Sequence, residues 1–110
     1  MIPVFDGHND ILLRLYKDPA QRSEIFLTGE GKGHLDLPRM KASGFAGGFF
    51  AIYLPSPVAH DAPDYMTAMQ NPPYHLPLPE LIPFAQAIQP AVSIAGQLLW
   101  MERAAEGALR

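Results

Sequence analysis

His8 and Asp10 stand two residues apart, just after a short apolar run that ends in Gly7. In an extended backbone, residues i and i+2 point to the same side. The imidazole and the carboxylate can therefore converge, with Asn9 turned away. A nitrogen and an oxygen ligand converging at a strand end begin a zinc-type site, but a four-coordinate site draws on three or four protein ligands. By spacing alone a His-x-Asp triplet is a weak signal. The bland alternative has Asp10 capping the next helix while His8 packs or hydrogen-bonds. Position improves the odds of the metal reading: the triplet follows an apolar strand and precedes a helix, and strand C-termini are where α/β barrels gather ligands and catalytic groups.

Other groups point less firmly to chemistry. His34-Leu35-Asp36 repeats the spacing, but it leaves a Gly-rich loop and enters a helix, so Asp36 reads as an N-cap. Gly29-Glu30-Gly31-Lys32-Gly33 lacks the Walker spacing and a Ser/Thr after its lysine, and Glu30 would repel phosphate. It reads as a flexible loop. Glu106 lies at a helix end with no strand to deliver it as a ligand. His60 and His75 read as solvated loop residues, and Trp100 and Met101 as packing. The serines lie in no nucleophile elbow.

The elements that must position these groups follow from periodicity and punctuation. Residues 2–6 read as a short buried strand, with Gly7 letting the backbone turn. Ile11–Lys17 is an amphipathic helix stopping before Pro19. Residues 18–35 are polar, Gly-rich loop. A short helix follows, with Asp36 as N-cap, Pro38 in the first turn and Gly44 at the C′ position. Phe45–Leu54 does not alternate cleanly, which fits a strand covered on both faces in a parallel sheet. The proline-rich residues 55–79 lack helix or strand periodicity, and loops of this length are usually functional. From Glu80 an apolar stripe through Ile88, Ile94, Leu98, Met101 and Ala105 marks a long helix ending near Glu106. Pro90 should kink or split it.

Strands alternating with helices predict βα units and a parallel sheet, an α/β fold. Two such units cannot bury both faces of their strands, and a closed barrel of this type takes about 250 residues. The 110 residues therefore read as the first βα units of a larger (β/α)8 TIM barrel, incomplete in this chain. Eight basic residues against eleven acidic, with no Lys/Arg run, argue against nucleic acid or anionic membrane as a partner. The absence of cysteine excludes disulfides, thiolate metal sites and a cysteine nucleophile. No signal-peptide pattern opens the chain and no apolar run is long enough to span a membrane. A soluble, cytoplasmic protein is the expectation.

Three blocks taken together resemble the renal, or membrane, dipeptidase family of zinc peptidases. They are Asp6-Gly7-His8-Asn9-Asp10 with the following Ile11-Leu12-Leu13-Arg14, then Gly33-His34-Leu35-Asp36-Leu37-Pro38-Arg39-Met40, then Gly44-Phe45-Ala46-Gly47-Gly48-Phe49-Phe50-Ala51-Ile52-Tyr53-Leu54-Pro55. Leu98–Ala104 is similar to the family's second long helix. The resemblance implies a (β/α)8 barrel holding two zinc ions and hydrolysing dipeptides, with some members accepting a C-terminal D-residue or opening β-lactams. It implies that His8 and Asp10 bind one zinc, and that Tyr53 lines the substrate pocket. A bridging glutamate and two histidines for the second ion would come from strands beyond residue 110. In that picture a metal-bridging hydroxide attacks a carbonyl polarised by the zincs. No catalytic residue is then expected within residues 1–110, which are expected to be inactive alone.

Two alternatives stand beside this. One is a non-catalytic interaction module derived from a barrel fragment, a homo-oligomer whose uncovered strands and helix stripe pair with another chain. The other is a different TIM-barrel metallohydrolase. It fits less well, because the broad amidohydrolase group usually opens with two histidines here and the second position is Asp10.

Overall fold

The chain begins with strand β1, Val4–Asn9, which pairs in parallel with β2, Phe45–Phe50. This is a computed structural model, and it describes residues 2–57, 60 and 62–110. The two strands are joined by the right kind of connection for parallel pairing, a long crossover carrying helices. It contains α1, Ile11–Lys17, a single π-helical turn, Glu24–Thr28, and α2, Leu37–Ser43. A five-residue helix α3, Tyr65–Met69, follows β2, and α4, Phe84–Ala104, runs back beside α1. Among the described residues the sheet has two strands and no barrel closes. No helix there is long and apolar enough to cross a membrane.

Several boundaries differ from the expected ones. β1 does not turn at Gly7; it continues through His8 and Asn9, because β2 keeps offering partners as far as Phe50. β2 stops at Phe50 and not at Leu54. Ala51 makes the last rung, its N–H donating to the Asn9 carbonyl at 2.9 Å, and beyond Asn9 the chain has left the sheet for α1. Neither strand is covered on both faces: Phe5 and Phe49 stack edge to face at 5.2 Å while remaining 60% and 67% exposed. Helices pack on one side of this sheet, and two βα units supply nothing for the other.

α2 follows its punctuation. Asp36 accepts the Arg39 N–H at 2.8 Å, and Gly44 closes the helix in the left-handed region at φ 75°. Asp36 is buried and also pairs with the Arg39 guanidinium at 3.4 Å. Replacing Asp36 by alanine is expected to lower stability by about 1–2 kcal/mol, read as a lower urea midpoint at unchanged slope. An unchanged midpoint would mean the cap carries no net weight.

The core lies between α1, the π-helical turn, α2 and α4. Leu12, Leu15, Phe26, Ile94 and Met101 are its fully buried side chains. Ile25 and Phe26 come from a stretch whose composition reads as loop; one irregular turn carries both inward. In the proline-rich segment the short α3 is held by Asp64, which accepts the Met66 N–H at 3.1 Å. The Thr67 hydroxyl also donates to Asp64, and this bond holds its carboxyl below the usual range. A helix of one turn is too short to show periodicity. α4 is continuous through Pro90. The missing N–H costs one rung and the neighbouring rungs hold the helix together. Its C-terminal half is buried through Ile94 and Met101, with Ala105 buried just past its end, whereas Phe84, Ile88 and Val92 stand exposed.

Candidate metal-binding strand end

β1 delivers Asp6 and His8 to its C-terminal end, and the chain turns into α1 at Asp10. His8 Nε2 lies 3.4 Å from Asp10 Oδ2, both side chains being largely exposed. That is long for a hydrogen bond. It equals the spacing expected for two donors about 2.1 Å from one tetrahedral zinc ion, which stand about 3.4 Å apart. The pair fits half of a zinc site, one imidazole nitrogen and one carboxylate oxygen. Among the described residues no group of three or more His, Asp or Glu side chains gathers to complete it.

Asp10 does not cap α1. It occupies the N-cap position, yet its carboxylate makes no capping bond, and its backbone carbonyl accepts from Leu13 and Arg14. The first N–H of the helix, at Ile11, donates instead to Asn9 Oδ1 at 3.4 Å. The carboxylate is thereby left to face His8. Asn9 turns toward β2, where its amide donates to the Phe49 carbonyl at 3.3 Å and to Asp6 Oδ2 at 3.0 Å. Asp6 Oδ1 accepts the His8 N–H at 3.1 Å. Asp6 is not among the expected ligands, although its period-two spacing from His8 places it on the same side of the strand.

The site has a wall. Gly33, His34 and Leu35 stand by the strand end, bounding an open cavity of about 490 Å³ whose lining also includes Asp6, His8, Asp10 and Arg14. The wall is tied down where a flexible loop is expected. Glu30 pairs with Arg14, and Arg39 Nη1 donates to the Gly33 carbonyl at 2.7 Å. Gly33 sits at φ 68°, and a Cβ there would overlap the Arg14 guanidinium. The second triplet thus splits: Asp36 caps α2, as its type suggests, while His34 faces the same cavity as His8 and Asp10.

Tyr53 lies beyond the end of β2 and lines a second cavity of about 890 Å³ with Pro55, Tyr65 and Pro77. Neither His8 nor Asp10 belongs to that lining. Glu106 follows α4 in a turn whose next residue, Gly107, lines a cavity together with Phe45 and Ala46, where β2 begins. That is the end of the sheet opposite His8 and Asp10, so Glu106 is not delivered to the ligand pair.

The family model of membrane dipeptidase (peptidase family M19) matches residues 1–98. A crystal structure of a metallo peptidase from Rhodobacter sphaeroides, liganded with a phosphinate mimic of the dipeptide L-Ala-D-Ala, superposes with a TM-score of 0.85 at 64% identity. It covers 96% of this chain and 30% of that one. The crystal structure of the dipeptidase AC, a metallo peptidase of family M19, gives a TM-score of 0.83 at 62% identity over 96% of this chain and 29% of its own. An uncharacterized protein in the PQQ-III 3′ region of Acinetobacter calcoaceticus is 53% identical over 55 residues, 49% of this chain and 18% of that protein. The chain therefore spans less than a third of the length of these relatives.

Proposed function

This chain belongs to the membrane dipeptidase family, peptidase family M19, and on that footing we propose that it forms the opening βα units of a single (β/α)8-barrel zinc dipeptidase domain. One observation carries the reading for these residues. His8 Nε2 and Asp10 Oδ2 stand 3.4 Å apart at the C-terminal end of β1, free of capping duty and open to a cavity. His8 and Asp10 would hold one zinc; a glutamate and two histidines from later strands would complete the pair of sites. When bound, two zinc ions supply carbonyl polarisation and an activated water, the logic of two-metal hydrolysis. The chain's own contribution is to present two ligands at a strand end and to wall the cavity with residues 33–35. The exposed Phe5 and Phe49 on the sheet, and Phe84, Ile88 and Val92 on α4, are the surfaces that further barrel units would cover.

The substrate class proposed is a dipeptide, with L-Ala-D-Ala as the first to test, since a relative holds its mimic. Tyr53 is proposed to line the substrate side, supported by its place after β2. Incubating the complete enzyme with zinc and L-Ala-D-Ala should release both amino acids. Zinc-loaded protein that leaves every dipeptide intact would sink the reading. Residues 1–110 alone, given the same substrate and zinc, are expected to show no turnover, because two ligands bind zinc weakly. Turnover near the ~10 s⁻¹ of an ordinary enzyme would overturn that expectation. The uncovered surfaces also suit a non-catalytic pairing module, which would give a well-dispersed dimer in light scattering where an incomplete barrel aggregates.

A further inference from the structure

We infer that Asp6 and Asn9 are positioning residues that set the His8–Asp10 bite, an inference that rests on the dipeptidase reading above. Strand alternation alone does not bring the two ligands together, because Asp10 has already left the strand, at φ −111° and ψ 24°. Their separation depends on how the backbone bends between His8 and Ile11. Four hydrogen bonds hold that bend. Asp6 accepts the His8 N–H through one oxygen and the Asn9 amide through the other, at 3.1 and 3.0 Å. Asn9 also donates to the Phe49 carbonyl on β2 at 3.3 Å and accepts the Ile11 N–H of α1 at 3.4 Å.

Each polar atom of the pair is thus used, and the bonds tie β1 to β2 and to α1 around the ligand-bearing turn. Asn9 needs two donors and one acceptor, so aspartate at position 9 would oppose Asp6 and the Phe49 carbonyl. Asp6 needs two acceptors, so asparagine at position 6 would set an NH₂ against either the His8 N–H or the Asn9 amide. Both Asp6 oxygens already accept from protein donors, which suits an orienting carboxylate rather than a ligand. Asp6 and Asn9 act on the backbone that carries the ligands and not on the ligand side chains themselves; outer-shell partners of a metal site typically govern its affinity by about 10- to 100-fold.

The test is a zinc titration of the complete enzyme against a competing chelator, for wild type, Asp6→Asn, Asn9→Ala and His8→Ala. Asp6→Asn and Asn9→Ala are expected to bind as many zinc equivalents as wild type at saturation, with one equivalent weakened about 10- to 100-fold. At saturating zinc kcat should largely recover and KM for L-Ala-D-Ala should match wild type. Affinities equal to wild type in both variants would overturn the inference. So would an equivalent that no zinc concentration restores in Asp6→Asn, which would make Asp6 a ligand. Should Asp6→Asn fail to fold, Asn9→Ala decides; failure of both to fold would mark the pair as a purely structural bracket and overturn it too. Wild type without zinc, or His8→Ala with its full complement, would refute the metal-site reading itself, and the controls separate that result from the others.

Discussion

Alanine at His8 or at Asp10 in the complete enzyme is expected to remove one metal equivalent per protein. The loss in kcat/KM should reach about 10³-fold, the equivalent of about 4 kcal/mol of transition-state stabilisation that a metal ion supplies. The folded state should survive. Both side chains are largely exposed, and the first N–H of α1 bonds to Asn9, so Asp10→Ala leaves that cap in place. A normal melting temperature with a missing zinc is therefore the expected pairing of results. Elemental analysis measures the zinc directly. An unchanged zinc content in either variant would count decisively against these residues as ligands.

Phe26→Ala is expected to produce the largest stability loss, about 3–5 kcal/mol by cavity formation. That is a substantial share of the 5–15 kcal/mol typical of a folded domain. Phe26 is fully buried in the cluster that includes Leu12, Leu15, Ile94 and Met101, and meets Trp100 edge to face at 6.2 Å. Trp100 is covered on another side by the Arg22 guanidinium at 4.6 Å, so the ring has little room to collapse into the vacated space. Urea denaturation of the variant beside wild type measures the loss. A shift below about 1 kcal/mol would mean that the π-helical turn relaxes to fill the cavity.

These two sites were legible to different degrees. The proposed ligand pair was legible as a candidate because His8 and Asp10 stand two residues apart after an apolar run, a local signal, and three flanking blocks gave it a family context. The order of elements, the α2 boundaries and the N-cap role of Asp36 were equally readable, since each depends on residues within a turn of one another. Asp36, Pro38 and Gly44 specify where α2 begins and ends whatever lies around them.

Phe26 was not readable. The apolar run Ile25-Phe26-Leu27 is too short to show a 3.6 or a 2.0 period, and the burial of Phe26 depends on Trp100, Ile94 and Met101 of α4, far away in the chain. The same holds for the ends of β1 and β2, which stop where the partner strand stops, and for the capping of α1 by Asn9 in place of Asp10. His34 is the sharpest case. Its sequence setting suggests only a loop before a helix, yet the Arg14–Glu30 pair and the Arg39–Gly33 bond bring that loop over the strand end. Residue types and near-neighbour spacing carry the information for caps, turns and a two-ligand motif, because those energies are local. Which loop becomes core, and which histidine shares the cavity with His8 and Asp10, is set by contacts between residues distant in sequence.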